Sequence, residues 1–191
     1  MPLTHPQTLR GSVISPDSTE ESQLIRRVAA GSSDALAAFY RLHAASLFRL
    51  ARRMTSSVED AEDVVHDLFV GLPESIQKYD GRGSFQGWLK RVLVRLVLMH
   101  HRAARRRREV GLEEEVSTPS PAQTVDDGVR WDMQRAMETL PDDLRAVLVL
   151  RQAEQYTHRE IAGLLGITPG ASRVRLSRAV KLLKTALRGR I

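Results

Sequence analysis

The chain contains no cysteine in its 191 residues. Disulfides are therefore excluded, as is any zinc or iron–sulfur site built on thiolates, and a reducing compartment suits such a chain. Aromatic residues are scarce, at 5% against a hydrophobic content of 42%. That balance fits small helical bundles cored by Leu, Val and Ala. No apolar run approaches the ~20 residues needed to span a bilayer. Met1 to Glu20 is rich in Ser, Thr and Pro without an apolar segment, so no signal peptide is expected. A soluble cytoplasmic protein without membrane insertion is the expectation. Phosphate-loop, Gly-x-Ser-x-Gly and dinucleotide motifs are also missing. The six histidines (5, 43, 66, 100, 101 and 158) show no ligand spacing, and each reads as a polar surface group. No catalytic residue, metal or cofactor is expected.

What the chain does have is positive charge. Its net charge is +6 and its isoelectric point about 10.3, which point to a polyanionic partner. The distribution says more than the total. Residues 21–108 carry +7, residues 109–128 carry −6, and residues 129–191 carry +6. Two basic modules are thus separated by an acidic strip. No internal repeat and no useful strand-period segment occurs, so the expected class is all-α, with two small helical domains joined by an extended linker.

The most informative stretch runs from Tyr156 to Ala179. Thr157 can N-cap a helix, with Glu160 three residues on to close a capping box. Gly166 follows Leu164-Leu165, where a helix ends in a left-handed residue. Thr168-Pro169 restarts a helix, Thr as cap and Pro at the first helical position. A short helix, a glycine turn and an arginine-loaded helix form the layout of a helix-turn-helix DNA reader. Leu176, Val180, Leu183 and Leu187 recur at helical steps as the buried stripe. Arg173, Val174, Ser177, Arg178 and Lys181 fall largely off it. Arg can pair with guanine and Val can touch a thymine methyl. A solvated basic helix is the bland alternative, which the capping and turn signals disfavour.

Upstream, residues 1–20 read as a disordered tail. Helical periodicity starts at Leu24-Ile25 and breaks at Gly31. Ser33 then caps a long helix with Leu36, Phe39, Tyr40, Leu47, Leu50 and Met54 at apolar steps. Ser57 with Asp60 opens a third helix whose first turns hold Glu59, Asp60, Glu62, Asp63, His66 and Asp67. Pro73 strains or ends it. After the loop Lys78-Tyr79-Asp80-Gly81-Arg82-Gly83, Ser84 caps a fourth helix to about Arg108, roughly 37 Å long. That helix combines Phe85 and Trp88 with Lys90, Arg91 and Arg95. The pattern fits either a core helix with a solvated tail or a platform for an unpaired nucleic-acid strand. Residues 109–128, with Glu113-Glu114-Glu115 and two prolines, read as an extended linker. A helix bearing Trp131 and Met137 ends before Pro141, and Asp142-Asp143 open another. The carboxylates of the third helix share a face and could hold Mg²⁺. Only one histidine lies near them, so an acidic docking surface is favoured over a metal site.

These residues carry a family resemblance. Asp60-Ala61-Glu62-Asp63-Val64-Val65-His66-Asp67-Leu68-Phe69, Tyr79-Asp80 and Gly83-Ser84-Phe85-Gln86-Gly87-Trp88-Leu89 form one signature. Leu140-Pro141, Arg145 to Arg151, Glu160-Ile161-Ala162 and Leu165 to Gly170 form another. In this order they resemble a bacterial RNA polymerase sigma factor of the extracytoplasmic-function (group IV) type, in the sigma-70 family. The resemblance implies a region 2 domain at 21–108 and a region 4 domain at 129–191. It implies no catalysis of its own, and core RNA polymerase (largest and second-largest subunits) and promoter DNA, double- and single-stranded, as partners. An anti-sigma factor is a further implied partner, with contact residues not indicated. Asp60, Asp63, His66, Asp67 and Phe69 would meet core polymerase. Lys78, Tyr79, Asp80, Arg82, Phe85, Trp88, Lys90, Arg91 and Arg95 would handle minus-ten DNA. Thr157, Arg159, Ser172, Arg173, Val174, Arg175, Ser177 and Arg178 would read the minus-thirty-five element. The linker would thread toward the active-site cleft, its charge standing in for nucleic acid. This chain departs from the family pattern at Arg95 (usually Asn), Met99 (usually Asp), Ser172 (usually Val) and Val174 (usually Ser). The competing readings are a stand-alone dimeric helix-turn-helix regulator and a metal-dependent nuclease using the acidic cluster.

Overall fold

The computed structural model describes residues 17–81, 83–109 and 128–188; the linker residues 110–127, Arg82 and the Trp131 side chain lie outside the described residues. Eight α-helices occur among the described residues, with no strand. The first four, α1 (Asp17–Ala29), α2 (Ser33–Met54), α3 (Val58–Ser75) and α4 (Phe85–Glu109), make the N-terminal module. The last four, α5 (Gly128–Glu138), α6 (Asp142–Gln152), α7 (His158–Leu165) and α8 (Pro169–Arg188), make the C-terminal one. No helix among the described residues is long and apolar enough to cross a membrane.

Helix starts follow local chemistry. Ser57 accepts the Asp60 amide at 3.0 Å, and Ser84 accepts the Gly87 amide at 3.1 Å. Two expectations shift. The cap of α2 is Ser32, not Ser33, because the Ser32 hydroxyl accepts the Ala35 amide. Helix α1 begins at Asp17, inside the stretch expected to be a tail. Pro73 does not end α3, which runs two residues further and closes through a 3₁₀ turn at Ile76–Lys78. Being so near the helix end, its ring removes a single hydrogen bond from the last turn.

The N-terminal core is made of large side chains. Phe39, Leu47, Leu50, Met54, Leu68, Leu72, Phe85, Leu89 and Leu93 are all buried. Tyr40, expected on the inner face of α2, is 52% exposed; Phe39 takes the interior and Tyr40 packs sideways on Phe69 with ring centroids 4.7 Å apart. His43 stacks on Phe39 at 4.3 Å, so it is not a free surface group, and burial pushes its imidazole below its usual range.

The C-terminal module is organised around Arg145, which is 2% exposed. Its Nε donates to the Met137 carbonyl at 3.0 Å. Its Nη2 donates to the carbonyls of Glu138 and Leu140 at 3.2 and 2.7 Å. Those carbonyls stand at the end of α5, where a helix has no internal donors left. One guanidinium thus terminates α5 and ties it to α6. In α8 the buried centre is Ser172 and Ala179, while Leu176, Val180, Leu183 and Leu187 are only half-buried. Small residues at the closest approach let α8 lie tightly against α6 and α7, leaving the leucines at the rim.

The two modules pack together. Helix α6 lies against α2, and α7 against α4. A single hydrophobic cluster joins Phe39, Leu50 and Leu93 of the first with Val147, Leu150 and Ile161 of the second.

Candidate nucleic-acid and polymerase interfaces

Helices α7 and α8 form the helix-turn-helix that the capping residues foretell. The Thr157 amide and hydroxyl both donate to Glu160 Oε2 at 2.7 Å, and the Thr157 hydroxyl accepts the Glu160 amide at 3.3 Å. These bonds hold the Glu160 carboxyl below its usual range. Gly166 ends α7 at φ +66°, a left-handed conformation that costs glycine little. Thr168 accepts the Ala171 amide at 3.1 Å to start α8.

Along α8, Arg173, Val174, Ser177 and Arg178 face solvent on the exposed side of the reader, Val174 being 51% exposed. Arg159 is exposed on α7. Two residues of the expected DNA set are placed otherwise. Ser172 is fully buried and its Oγ lies 2.9 Å from His158 Nδ1, so it pins α8 to α7 instead of reaching a base. Arg175 is half-buried and pairs with Asp143 of α6 at 3.3 Å. Partial burial, then the nearby Arg151 and Arg173, keep the His158 imidazole below its usual range.

The loop before α4 is shaped by its ends. Gly81 and Gly83 take positive φ, and the Tyr79 hydroxyl donates to the Gly83 carbonyl at 2.9 Å. Tyr79, Phe85 and Trp88 form one aromatic group, with centroids 5.0 to 5.5 Å apart. Phe85 is its buried root, edge-on to Phe39 at 5.1 Å, and is therefore a core residue, not a DNA contact. Tyr79 and Trp88 remain partly exposed above it, with Lys78, Asp80, Arg91 and Arg95 on the surface. Lys90 is engaged: its Nζ donates to Glu154, between α6 and α7.

Helix α3 presents Glu59, Glu62, Asp63, His66 and Asp67 to solvent, with Asp60 partly exposed and 3.7 Å from His100. Phe69, expected among the polymerase contacts, is buried under Tyr40. Next to the acids runs a shallow groove lined by Tyr40, Ala44, Phe48, Val65 and His66, which the sequence alone did not single out. Among the described residues, no three potential ligands converge on a metal position.

Comparison with known proteins matches these modules in order. The family model for Sigma-70 region 2 matches residues 39–107, and that for Sigma-70 region 4 matches residues 130–183. The chain is 34% identical over 153 residues to the ECF RNA polymerase sigma factor SigE of Mycolicibacterium smegmatis, covering 77% of this chain and 59% of that protein. It is 32% identical over 167 residues to the ECF RNA polymerase sigma factor SigL of Mycobacterium tuberculosis, covering 83% of this chain and 92% of that protein. Its fold is similar to the sigma factor RpoE of Bartonella quintana, solved with the anti-sigma factor NepR. The TM-score is 0.58 at 21% identity, over 90% of this chain and 96% of that one. With both matched regions seated on the two helical modules just described, the chain belongs to the extracytoplasmic-function family of RNA polymerase sigma factors.

Proposed function

We propose that this chain binds core RNA polymerase and directs it to promoters, with the N-terminal module handling minus-ten DNA and the C-terminal helix-turn-helix reading the minus-thirty-five element. The observation that carries this reading is the ordered pair of region 2 and region 4 matches on two separate helical modules. Arg173, Val174, Ser177 and Arg178 of α8 enter the major groove, where Arg pairs with guanine and Val touches a thymine methyl. Arg159 and the N-terminal end of α7 face the phosphates. Tyr79 and Trp88 offer ring faces to unpaired minus-ten bases, while Lys78, Arg91 and Arg95 neutralise the strand. Asp63, His66 and Asp67 dock on a basic surface of the largest subunit, with Tyr40 supplying apolar contact beside them. The chain performs no catalysis; the polymerase does. An anti-sigma factor is its natural antagonist, as NepR is bound to RpoE in the similar structure.

The test is reconstitution. Purified full-length chain added to core polymerase is expected to yield transcripts from defined promoter start sites that core alone ignores. Duplex operator binding by a dimer of this chain, without any transcript, would instead establish a stand-alone regulator.

A further inference from the structure

The bond between His158 and Ser172 fixes more than the angle of two helices. Ser172 is fully buried on α8, and its Oγ lies 2.9 Å from Nδ1 of His158, the first residue of α7. A serine hydroxyl carries one proton, and burying it without an acceptor is costly. Among the described residues Nδ1 is the one side-chain partner of that hydroxyl. Nδ1 must therefore accept, and the Ser172 O–H donates to it. Partial burial, Arg151 at the end of α6 and Arg173 of α8 all favour the neutral ring. A neutral imidazole whose Nδ1 accepts carries its proton on Nε2.

That Nε2–H has no partner among the described residues. The buried nitrogens in the same condition belong to Arg52 and His101, so the His158 donor opens to solvent. The charged side chains that act on the ring, Arg151 and Arg173, are both cations. Glu160, the acid two residues on, ties its carboxylate to Thr157 instead. A half-buried donor in a positive field suits an anion. Position says which one. Arg173 stands next to Val174 on the exposed side of α8, and Arg159 is exposed beside His158 on α7. A donor at that junction meets the backbone of the duplex whose groove α8 enters, where polar side chains fix register on phosphates.

We propose that His158 Nε2 donates to one DNA backbone phosphate beside the minus-thirty-five element, and that Ser172 is the positioning residue holding the ring in the tautomer that can do so. Ser172 then serves the reader without touching DNA: its hydroxyl decides which ring nitrogen carries the proton, and α8 and α7 keep that nitrogen facing outward. The contact carries no base information, so it sets affinity and register while Val174 and the exposed arginines of α8 discriminate. The phosphate contact rests on the helix-turn-helix reading above, whereas the tautomer does not.

Two measurements on the full-length chain test the pair. Nuclear magnetic resonance of isotope-labelled histidine, with His158→Gln assigning the signal, reads the tautomer at neutral pH. Wild type is expected to show Nε2–H alone and Ser172→Ala a mixture; any other protonation state in wild type overturns the positioning role. Next, minus-thirty-five duplexes that each carry one methylphosphonate in place of a phosphate are titrated with the chain, alone and with core polymerase. At one position the uncharged linkage is expected to weaken wild type about tenfold, the scale of one hydrogen bond to a charged group, and to weaken His158→Ala no further. On unmodified duplexes His158→Ala loses the same factor whatever the base sequence, and His158→Gln, whose amide can reach the same point, recovers most of it. Ser172→Ala loses about twofold, because only part of the population then presents the N–H. Losses that add at every phosphate, or a wild type that binds no duplex, overturn the contact. If the coupling held while reconstituted polymerase made no promoter-directed transcript, the promoter reading would fall and the phosphate contact would stand. Promoter-directed transcripts without coupling at any phosphate would do the reverse.

Discussion

The two modules solve the same problem with different materials. The N-terminal one buries Phe39, Leu47, Leu50, Met54, Leu68, Leu72, Phe85, Leu89 and Leu93, side chains bulky enough to fix helix spacing by volume. The C-terminal one buries aliphatic groups, among them Leu140, Leu144, Leu150 and Ile161, but no aromatic ring among the described residues. To that cluster it adds a guanidinium, a capping box, a His–Ser bond and the small residues Ala146, Ser172 and Ala179, which set α5, α6, α7 and α8. A core of volume tolerates changes of shape better than loss of bulk, whereas one held by directional bonds fails when a single donor goes missing.

The sharpest way to break that comparison is at its two centres. Leu68→Ala is expected to destabilise the N-terminal module by about 3 kcal/mol, through lost transfer energy and the cavity left behind. Arg145→Met is expected to cost the C-terminal module about 3 kcal/mol, although it is apolar and of similar length, because three α5-end carbonyls lose their donor. Thermal unfolding followed by circular dichroism reads both. An Arg145→Met chain as stable as wild type would remove the distinction.

Smaller effects sharpen it at the surfaces. Asp63→Arg is expected to weaken core-polymerase binding about tenfold by placing like charges together, with the unfolding midpoint unmoved. Unchanged affinity in a binding titration would count against the acidic face of α3 as the docking surface. Thr157→Ala is expected to lose about 1 kcal/mol of C-terminal stability with the capping box. Val174→Ser is expected to cost about 1 kcal/mol at one minus-thirty-five base pair while affinity for other sequences holds. Equal weakening on every duplex would show that Val174 makes no base contact. Acidification gives the gentlest probe. Burial, more than the opposing pull of Asp142 and Asp60, holds the His101 imidazole below its usual value of 6.5, and Arg145 and His100 push the same way. The structure with His101 buried beside Asp142 therefore binds fewer protons than one with the ring in water, is least penalised above about pH 6.5, and weakens as pH falls below it. Thermal unfolding at pH 7.5 and 5.5 checks the sign.

How much of this was readable from the chain follows from the range of the interactions involved. The helix-turn-helix was legible almost atom by atom, since Thr157, Glu160, Gly166, Thr168 and Pro169 act within four residues of themselves. The acidic face of α3 was legible for the same reason. Periodicity could say that Phe39 and Tyr40, or Phe69 and Phe85, lie on apolar steps. It could not say which would be covered, because that depends on helices far away in sequence. Ser172 stood in the set expected to read DNA although it lies one turn before Leu176 of the buried stripe; it proved buried, bonded to His158 of the preceding helix. The end of α6 carried no glycine signal; Gln155 adopts the left-handed conformation there, at φ 58°. The module contact was illegible altogether, since Arg52, Lys90, Glu138 and Glu154 look like ordinary surface charges until the bundles meet and pair Arg52 with Glu138 and Lys90 with Glu154.

The His158–Ser172 bond has a thermal corollary. Where a branched aliphatic residue would hold the reader helix by a contact that strengthens on warming, this chain uses a polar bond that does not. The angle at which α8 is presented to a groove should accordingly loosen as temperature rises, making discrimination between start sites a property of heat as well as of sequence.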